Sequence, residues 1–292
     1  MEAQSPLGEF LRARRAQLTP ADVGLPRYGD RRRVPGLRRE ELAMLAGVSA
    51  GYYTRLEQGQ SLNASAEVLD AIATAMQLTD AERQHLHLLS AAAGHRVRRS
   101  APPDEEASPH LRTLLTTMSE VPALIVGRRN DVLAWNRAGH ALFAGHLSFA
   151  SPDDPETRPN MSRMVFLDAH TRGLYRNWEV KARAVVGNLR VMTAREPGDA
   201  GLAELIGELA IGSPEFAELW AGHLVEHCGR DIYELAHPLV GNLTVTQQPL
   251  RVPEEPHQMV LVVTAEPGSS SAAALTMLRQ ASCPATDRPA AR

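Results

Sequence analysis

Arg38-Arg39-Glu40-Glu41-Leu42-Ala43-Met44-Leu45-Ala46-Gly47-Val48-Ser49-Ala50-Gly51-Tyr52-Tyr53-Thr54-Arg55-Leu56-Glu57-Gln58-Gly59 reads as two short helices joined by a tight turn. Helices that cross steeply need a small residue where they touch, a left-handed residue at the turn and an apolar plug on the shared face. Ala43, Gly47 and Val48 supply these in order. Ser49 stands where its side chain accepts from the amides of Gly51 or Tyr52, so the second helix starts sharply and its N-terminal end faces outward. Tyr53 and Leu56 form the inward stripe, which leaves Ala50, Gly51, Tyr52, Thr54 and Arg55 outside.

A capped helix with small residues at its exposed start suits the major groove of double-stranded DNA. Arg55 carries a planar fork that can bond guanine O6 and N7 together, for about 1–3 kcal/mol of discrimination. A surface ion pair with a helix neighbour is its competing use. Arg31, Arg32, Arg33, Arg38 and Arg39 fit phosphate contacts, which position a protein without reading sequence, and a solvated basic surface is the alternative there.

On Glu40-Glu41-Leu42-Ala43, Gly47-Val48-Ser49 and Arg55-Leu56-Glu57-Gln58-Gly59 the segment resembles the helix-turn-helix of the XRE family of bacterial and phage repressors. The resemblance implies that Ala50, Gly51 and Arg55 read bases and that Tyr52 and Arg39 touch the backbone. It also implies that Glu57 pairs structurally with an arginine of the first helix, here Arg15. Arg39 stands where that family often has Gln or Ser, so docking here relies more on charge.

The flanking sequence supplies the rest of a domain. Leu7, Phe10, Leu11 and Leu18 stripe a helix from Pro6 to Leu18, Val68, Leu69, Ile72 and Met76 another, and Leu86 and Leu89 a fifth. Thr79 with Glu82 forms a capping box at the start of that fifth helix. Thr19 to Pro35 reads as a basic loop. These five helices over residues 6–93 match an all-α, lambda-repressor-like helix-turn-helix domain, assigned to residues 1–93. Residues 94–110 combine Gly, three Pro and charges of both signs without periodicity, a linker.

Residues 111–267 read as α+β. Ala123–Val126 and Asp131–Trp135 form a hairpin about Asn130, a long helix runs over Arg172–Arg195, and two more carry Leu202, Leu205 and Leu209, then Phe216, Leu219, Trp220 and Leu224. Gly229 is placed to end the last. Strands at Asp231–Ala236, Leu243–Gln248 and Met259–Thr264 close the domain, and residues 268–292 form a short helix and tail.

Residues 121–143 resemble the opening of a PAS-like domain. With Arg31-Arg32-Arg33-Val34-Pro35-Gly36-Leu37-Arg38-Arg39 and His237-Pro238-Leu239-Val240-Gly241-Asn242-Leu243, the chain over residues 5–265 resembles the actinobacterial MmyB-type regulators. The resemblance implies a small, largely apolar ligand of fatty-acyl character. Trp135, Phe143, Phe166, Trp178, Phe216 and Trp220 are candidates to line its pocket, with Asn136 and His237 as polar anchors. Ordinary core packing, and backbone hydrogen bonds for the two polar residues, are the competing roles.

Charge divides the same way: residues 1–100 carry 14 Arg against 11 acids, whereas the remainder carries 17 basic residues against 23 acids. A basic head on an acidic body suits a polyanion-binding head. Cys228 and Cys283 lack metal or disulfide spacing, and no apolar run approaches the ~20 residues that span a bilayer. A cytoplasmic protein, nucleoid-associated when on DNA, is expected. No Walker loop, H-E-x-x-H or G-x-S-x-G motif points to an enzyme. Asp153, Asp154 and Glu156 read as an acidic loop, and His223 and His227 lack a third metal ligand. The expectation is a homodimeric transcription regulator without cofactor or membrane, its operator affinity set by a small apolar effector. An adaptor whose second domain only recruits protein, or an enzyme on a DNA-targeting head, are the alternatives.

Overall fold

The computed structural model describes residues 5–25, 36–60, 64–93, 105–222 and 230–282. Arg31, Arg32, Arg33, His223, His227, Cys228, Gly229 and Cys283 therefore lie outside the described residues. The chain divides into two compact units, one built on residues 1–100 with 190–199 and 218–226, the other on the remainder.

The first unit opens with α1 (Pro6–Gln17), capped by Ser5, whose hydroxyl accepts from Gly8 N at 3.1 Å. Residues 21–23 make a 3-10 turn inside the stretch expected to be loop. Next come α2 (Arg39–Leu45), α3 (Ala50–Glu57), α4 (Ala66–Ala75) and α5 (Asp80–Ala93). The capping box forms: Thr79 N donates to the Glu82 carboxylate at 2.9 Å, and Glu82 N to Thr79 Oγ1 at 3.4 Å. Leu7, Phe10, Leu42, Tyr53, Leu56 and Ile72 bury in one core, each such side chain contributing about 1.5–3 kcal/mol. At Gly8 the helices α1 and α3 approach so closely that a Cβ would stand 2.1 Å from Glu57 O.

The second unit begins with α6 (Pro109–Thr117), then β1 (Ala123–Val126), β2 (Val132–Trp135) and α7 (Arg137–Phe143). Four residues, 105–108, of the stretch read as linker precede α6, and they fold onto this unit. Arg128 N donates to the Glu105 carboxylate, and Gln258 Nε2 to Glu106 O at 2.7 Å. After α8 (Met161–Leu167) and α9 (Ala169–Leu174) come α10 (Trp178–Arg195), α11 (Ala200–Gly212) and α12 (Pro214–Ala221). Then follow β3 (Asp231–His237), β4 (Gly241–Arg251), β5 (Met259–Thr264) and α13 (Ser270–Ser282).

The five strands form one antiparallel sheet in the order β2-β1-β5-β4-β3. Alternation in β3 turns Tyr233, Leu235 and His237 inward, as in a strand covered on one face. Central β5 is buried on both faces, because α6 covers one through Leu111 and Leu115. Asn130, at φ 66°, turns β1 into β2. No described helix is long and apolar enough to cross a membrane.

One expected element is divided. The helix anticipated over Arg172–Arg195 breaks at residues 175–177, where Tyr175 is extended and pairs with Leu235. Arg176 N donates to Glu234 O at 2.8 Å and Glu234 N to Asn177 Oδ1 at 3.0 Å. Pairing with a strand 60 residues away outweighs the local helical pattern, so Leu174 ends α9 rather than continuing a long helix.

Gly8→Ala tests the close approach of α1 and α3. Helix propensity alone would stabilise the variant by about 1 kcal/mol. The clash with Glu57 O instead destabilises the first unit by about 2 kcal/mol, read by denaturant unfolding.

Candidate nucleic-acid interface and ligand cavity

Gly47 takes φ 66°, and Val48 N donates to Ala43 O at 3.0 Å, closing the turn between α2 and α3. Ser49 Oγ accepts from Tyr52 N at 3.1 Å, so the first turn of α3 is fixed by its own sequence. Gly51 and Arg55 are exposed, Thr54 is half-buried, and Ala50 and Tyr52, also half-buried, pack against the core. A Cβ at Gly51 would meet nothing within 4 Å. Arg38 is exposed at the start of α2, where its backbone N donates to the Glu41 carboxylate at 2.7 Å.

Glu57 is a buried charge of this unit, its side chain wholly inaccessible. Arg15 Nε donates to its Oε2 at 2.9 Å and Arg15 Nη2 to its Oε1 at 3.1 Å. Arg39 donates to Oε1 through Nε at 2.9 Å and Nη2 at 2.8 Å. Arg12 stands 3.7 Å away. Burial pushes the Glu57 carboxyl up, but the hydrogen bonds from Arg15 and Arg39 outweigh it and hold the carboxyl below the ordinary glutamate range. The Arg15 pair is the one expected from sequence. Arg39, expected at the DNA backbone, has its guanidinium drawn into this clasp with its side chain 39% exposed.

In the second unit a cavity of about 30 Å³ lies between α10 and the sheet. Lys181, Ala184, Val185 and Asn188 recur at three, four and seven residues, one helical face, and look onto it. Opposite them, alternate residues of the strands supply Asp231 and Tyr233, Gln247 and Pro249, and Met259 and Leu261. Lys181, 4% exposed, donates to Gln247 Oε1 at 3.0 Å and stands 5.0 Å from the Tyr233 ring centre. Tyr233 OH donates to Asp231 Oδ2 at 3.3 Å. Burial raises the Asp231 carboxyl above its usual range, against Tyr233 and Lys181, which lower it. Toward β1, Asn188 Nδ2 donates to Asn130 Oδ1 at 2.6 Å and Asn130 Nδ2 to Ser162 Oγ at 2.9 Å.

The aromatic residues picked from sequence occupy other places. Phe166 packs edge-on to Trp178 at 5.6 Å and to Phe216 at 5.0 Å. Phe143 stacks with Tyr175, and Trp135 Nε1 donates to Phe149 O at 2.8 Å. Trp220, which groups with the first unit, lies under the Arg190 guanidinium. Asn136 caps α7 through Gly139 N and donates to Met118 O and Val121 O. His237 bonds Ala141 O and Leu239 N. None of these eight is among the residues lining the cavity between α10 and the sheet. Its polar residues escaped the sequence reading, although Lys181 is the only lysine in the chain, against 30 arginines, and lies on a helix otherwise read for its apolar stripe. In the acidic loop, Asp153 pairs with Arg112 at 3.0 Å, and Asp154 accepts from Glu156 N.

A Ser49-capped helix joined to its neighbour by the tight turn at Gly47, with a second sheet-and-helix unit, has the build of a helix-turn-helix regulator. Residues 6–86 match the family described as a helix-turn-helix domain. Residues 107–278, more than half of the chain, match the MmyB-like transcription regulator ligand binding domain. The chain belongs to this family, and it is a transcription regulator with a DNA-binding head and a ligand-binding domain. No curated protein matches it.

Two substitutions separate fold from interface. Glu57→Gln leaves the largely shielded Arg15 guanidinium without its counter-charge and lowers the unfolding free energy by about 3 kcal/mol at neutral pH. Because the folded carboxyl titrates below the unfolded one, the clasp's contribution is whole above about pH 4.3 and is lost as pH falls through the folded value. The wild-type first unit therefore loses stability over that acid window, and Glu57→Gln flattens the loss in pH-dependent denaturation. Gly51→Ala adds a Cβ to open space, so stability rises by about 0.5–1 kcal/mol while operator affinity falls in the same preparation.

Proposed function

We propose that this regulator binds a pseudo-palindromic operator as a homodimer, reading bases through Ala50, Gly51 and Arg55. Arg38, Arg39, Tyr52 and the Arg31–Arg33 triplet position it on phosphates. The observation that carries the reading is the Ser49-capped start of α3, with Gly51 and Arg55 exposed on one side of a helix whose other side is core. Two such helices meet successive major grooves about 34 Å apart. Acting on chromosomal DNA, the protein works in the cytoplasm and without catalysis.

A small effector of apolar, fatty-acyl character sets its operator affinity. The cavity under α10 holds about 30 Å³, room for one or two waters or the head of a ligand. A longer chain enters only by parting α10 from the sheet. Such a ligand binds the parted and closed states unequally, the condition for shifting a conformational equilibrium. Trp135, Asn136, Phe143, Phe166, Trp178, Phe216 and His237 take part in this domain's packing and Trp220 groups with the first unit, so the cavity lining is the site we favour.

Operator binding titrated against salt tests the head. Arg55→Ala costs about 1–3 kcal/mol on the operator and almost nothing on unrelated DNA. Arg38→Ala weakens both alike and reduces the salt slope by about one. Equal loss on both DNAs for Arg55→Ala contradicts the base-reading role. Adding a fatty acid to the lipid-extracted protein changes operator affinity, and an unchanged affinity contradicts the effector reading.

A further inference from the structure

The first unit has a cavity of its own, of about 270 Å³. The first turns of α1 form one wall, the last turns of α5 a second, and Arg190, Pro197 and Trp220 close it. His85, Leu89 and Ala92 recur at four and seven residues, so α5 turns a single face to the space. Most of the lining is hydrocarbon or ring. Phe10 and His85 meet edge-on with their centres 5.2 Å apart.

Arg190 is the charge built into this lining. It is 6% exposed, its guanidinium lies 4.5 Å over the Trp220 ring, and its Nη2 donates to Trp220 O. Stacking and the main-chain bond together hold the planar fork in one orientation. Burial brings the guanidinium down to about 10, a desolvation cost that an anion entering beside it offsets. Glu9, exposed, is the acid on the lining.

α1 links the cavity to the reading helix. Ser5, Leu7 and Phe10 line it, while Gly8 among them lies against Glu57 O of α3. A Cβ at Gly59, just past the end of α3, would stand 2.7 Å from the Ser5 side chain. The turn of α1 that borders the cavity is therefore the turn on which α3 rests.

We propose that this cavity is an effector site for an aromatic monocarboxylate, with the carboxylate on Arg190 and the ring among Phe10, His85 and Trp220. A dry cavity of about 150 Å³ already accepts benzene, so this one holds a fused ring with its acid group. Rings gain from edge and face contacts beyond the area they bury, which favours an aromatic body over a saturated one. Glu9 opposes the ligand's charge. An occupant bears on the first turns of α1, and operator affinity changes with occupancy because the ligand binds the two settings of α3 unequally. The site is separate from the cavity under α10. For its operator readout alone the proposal rests on the DNA-binding reading above.

The test is calorimetric binding of 2-naphthoate, its neutral amide and its saturated counterpart decalin-2-carboxylate to the full chain, with operator affinity measured in parallel. The acid binds about tenfold or more tightly than the amide, the worth of a hydrogen bond to a charged group. It binds about threefold or more tightly than the saturated acid. Saturating 2-naphthoate shifts operator affinity about fivefold or more. Arg190→Met removes the preference for the acid, Arg190→Lys keeps part of it, Glu9→Gln tightens it, and Ala92→Phe, which fills the cavity, abolishes binding. Melting of each unliganded variant reports its fold, and Arg190→Lys and Glu9→Gln carry the test if Arg190→Met does not fold. Equal binding of acid and amide, a preference that survives Arg190→Met, a saturated acid that matches 2-naphthoate, binding that persists in Ala92→Phe, or operator affinity indifferent to bound 2-naphthoate overturns the proposal. Arginine-dependent binding by a chain that recognises no operator upholds the site and contradicts the reading of the head.

Discussion

The DNA-binding head depends on the buried carboxylate of Glu57. Glu57 ends α3, Arg15 ends α1 and Arg39 begins α2, so a single clasp ties the reading helix to both neighbours. A carboxylate removed from water is tolerable only because its oxygens receive four guanidinium hydrogen bonds. The arrangement costs desolvation and returns geometry, since planar bidentate forks permit few alternative orientations of the helices that carry them. Arg39 shows the compromise. Its position at the outer edge of α2 suits a phosphate, yet its fork is committed inward, which leaves exposed Arg38 as the freer cation beside it.

The second unit depends on a different constraint, the fit of α10 against a twisted antiparallel sheet. Ala184 and Val185 line the middle of that helix face, while Lys181 and Asn188 hold polar groups at its two ends. Tyr175 and residues 176–177 break from helix to pair with β3, which sets where α10 can begin. The cavity thus arises from α10 and strands β3, β4 and β5, brought together from distant parts of the sequence. Its chemistry comes from residues that look ordinary when read along the chain.

That difference explains what was legible beforehand. The head is written in short-range rules: Ser49 caps, Gly47 turns, Thr79 and Glu82 box, and Tyr53 and Leu56 face inward. Each involves residues within four positions of one another. The hairpin was equally readable because Asn130 punctuates its strands, and the structure gives it a positive φ. Short helices such as α8 and α9 span fewer than two or so turns, too few for a periodic stripe. The break at Tyr175 follows from a pairing 60 residues away, which no local window contains. For the ligand site, large aromatics drew attention as pocket candidates. Phe166, Trp178 and Phe216 pack on one another, and the lysine that lines the cavity under α10 stands alone among arginines in the sequence.

The head and the cavity carry separate claims, and the reading helix is the central one. Methylation interference on the operator addresses it most directly, because a methyl on guanine N7 blocks the atom a bidentate arginine needs. The account predicts that methylating one guanine in each half-site, half-sites one helical turn apart, abolishes binding by the wild type. It further predicts that Arg55→Ala, already weaker, becomes indifferent to that methyl. Binding by the wild type that ignores N7 methylation throughout the operator, or an interference pattern unchanged in Arg55→Ala, would contradict it.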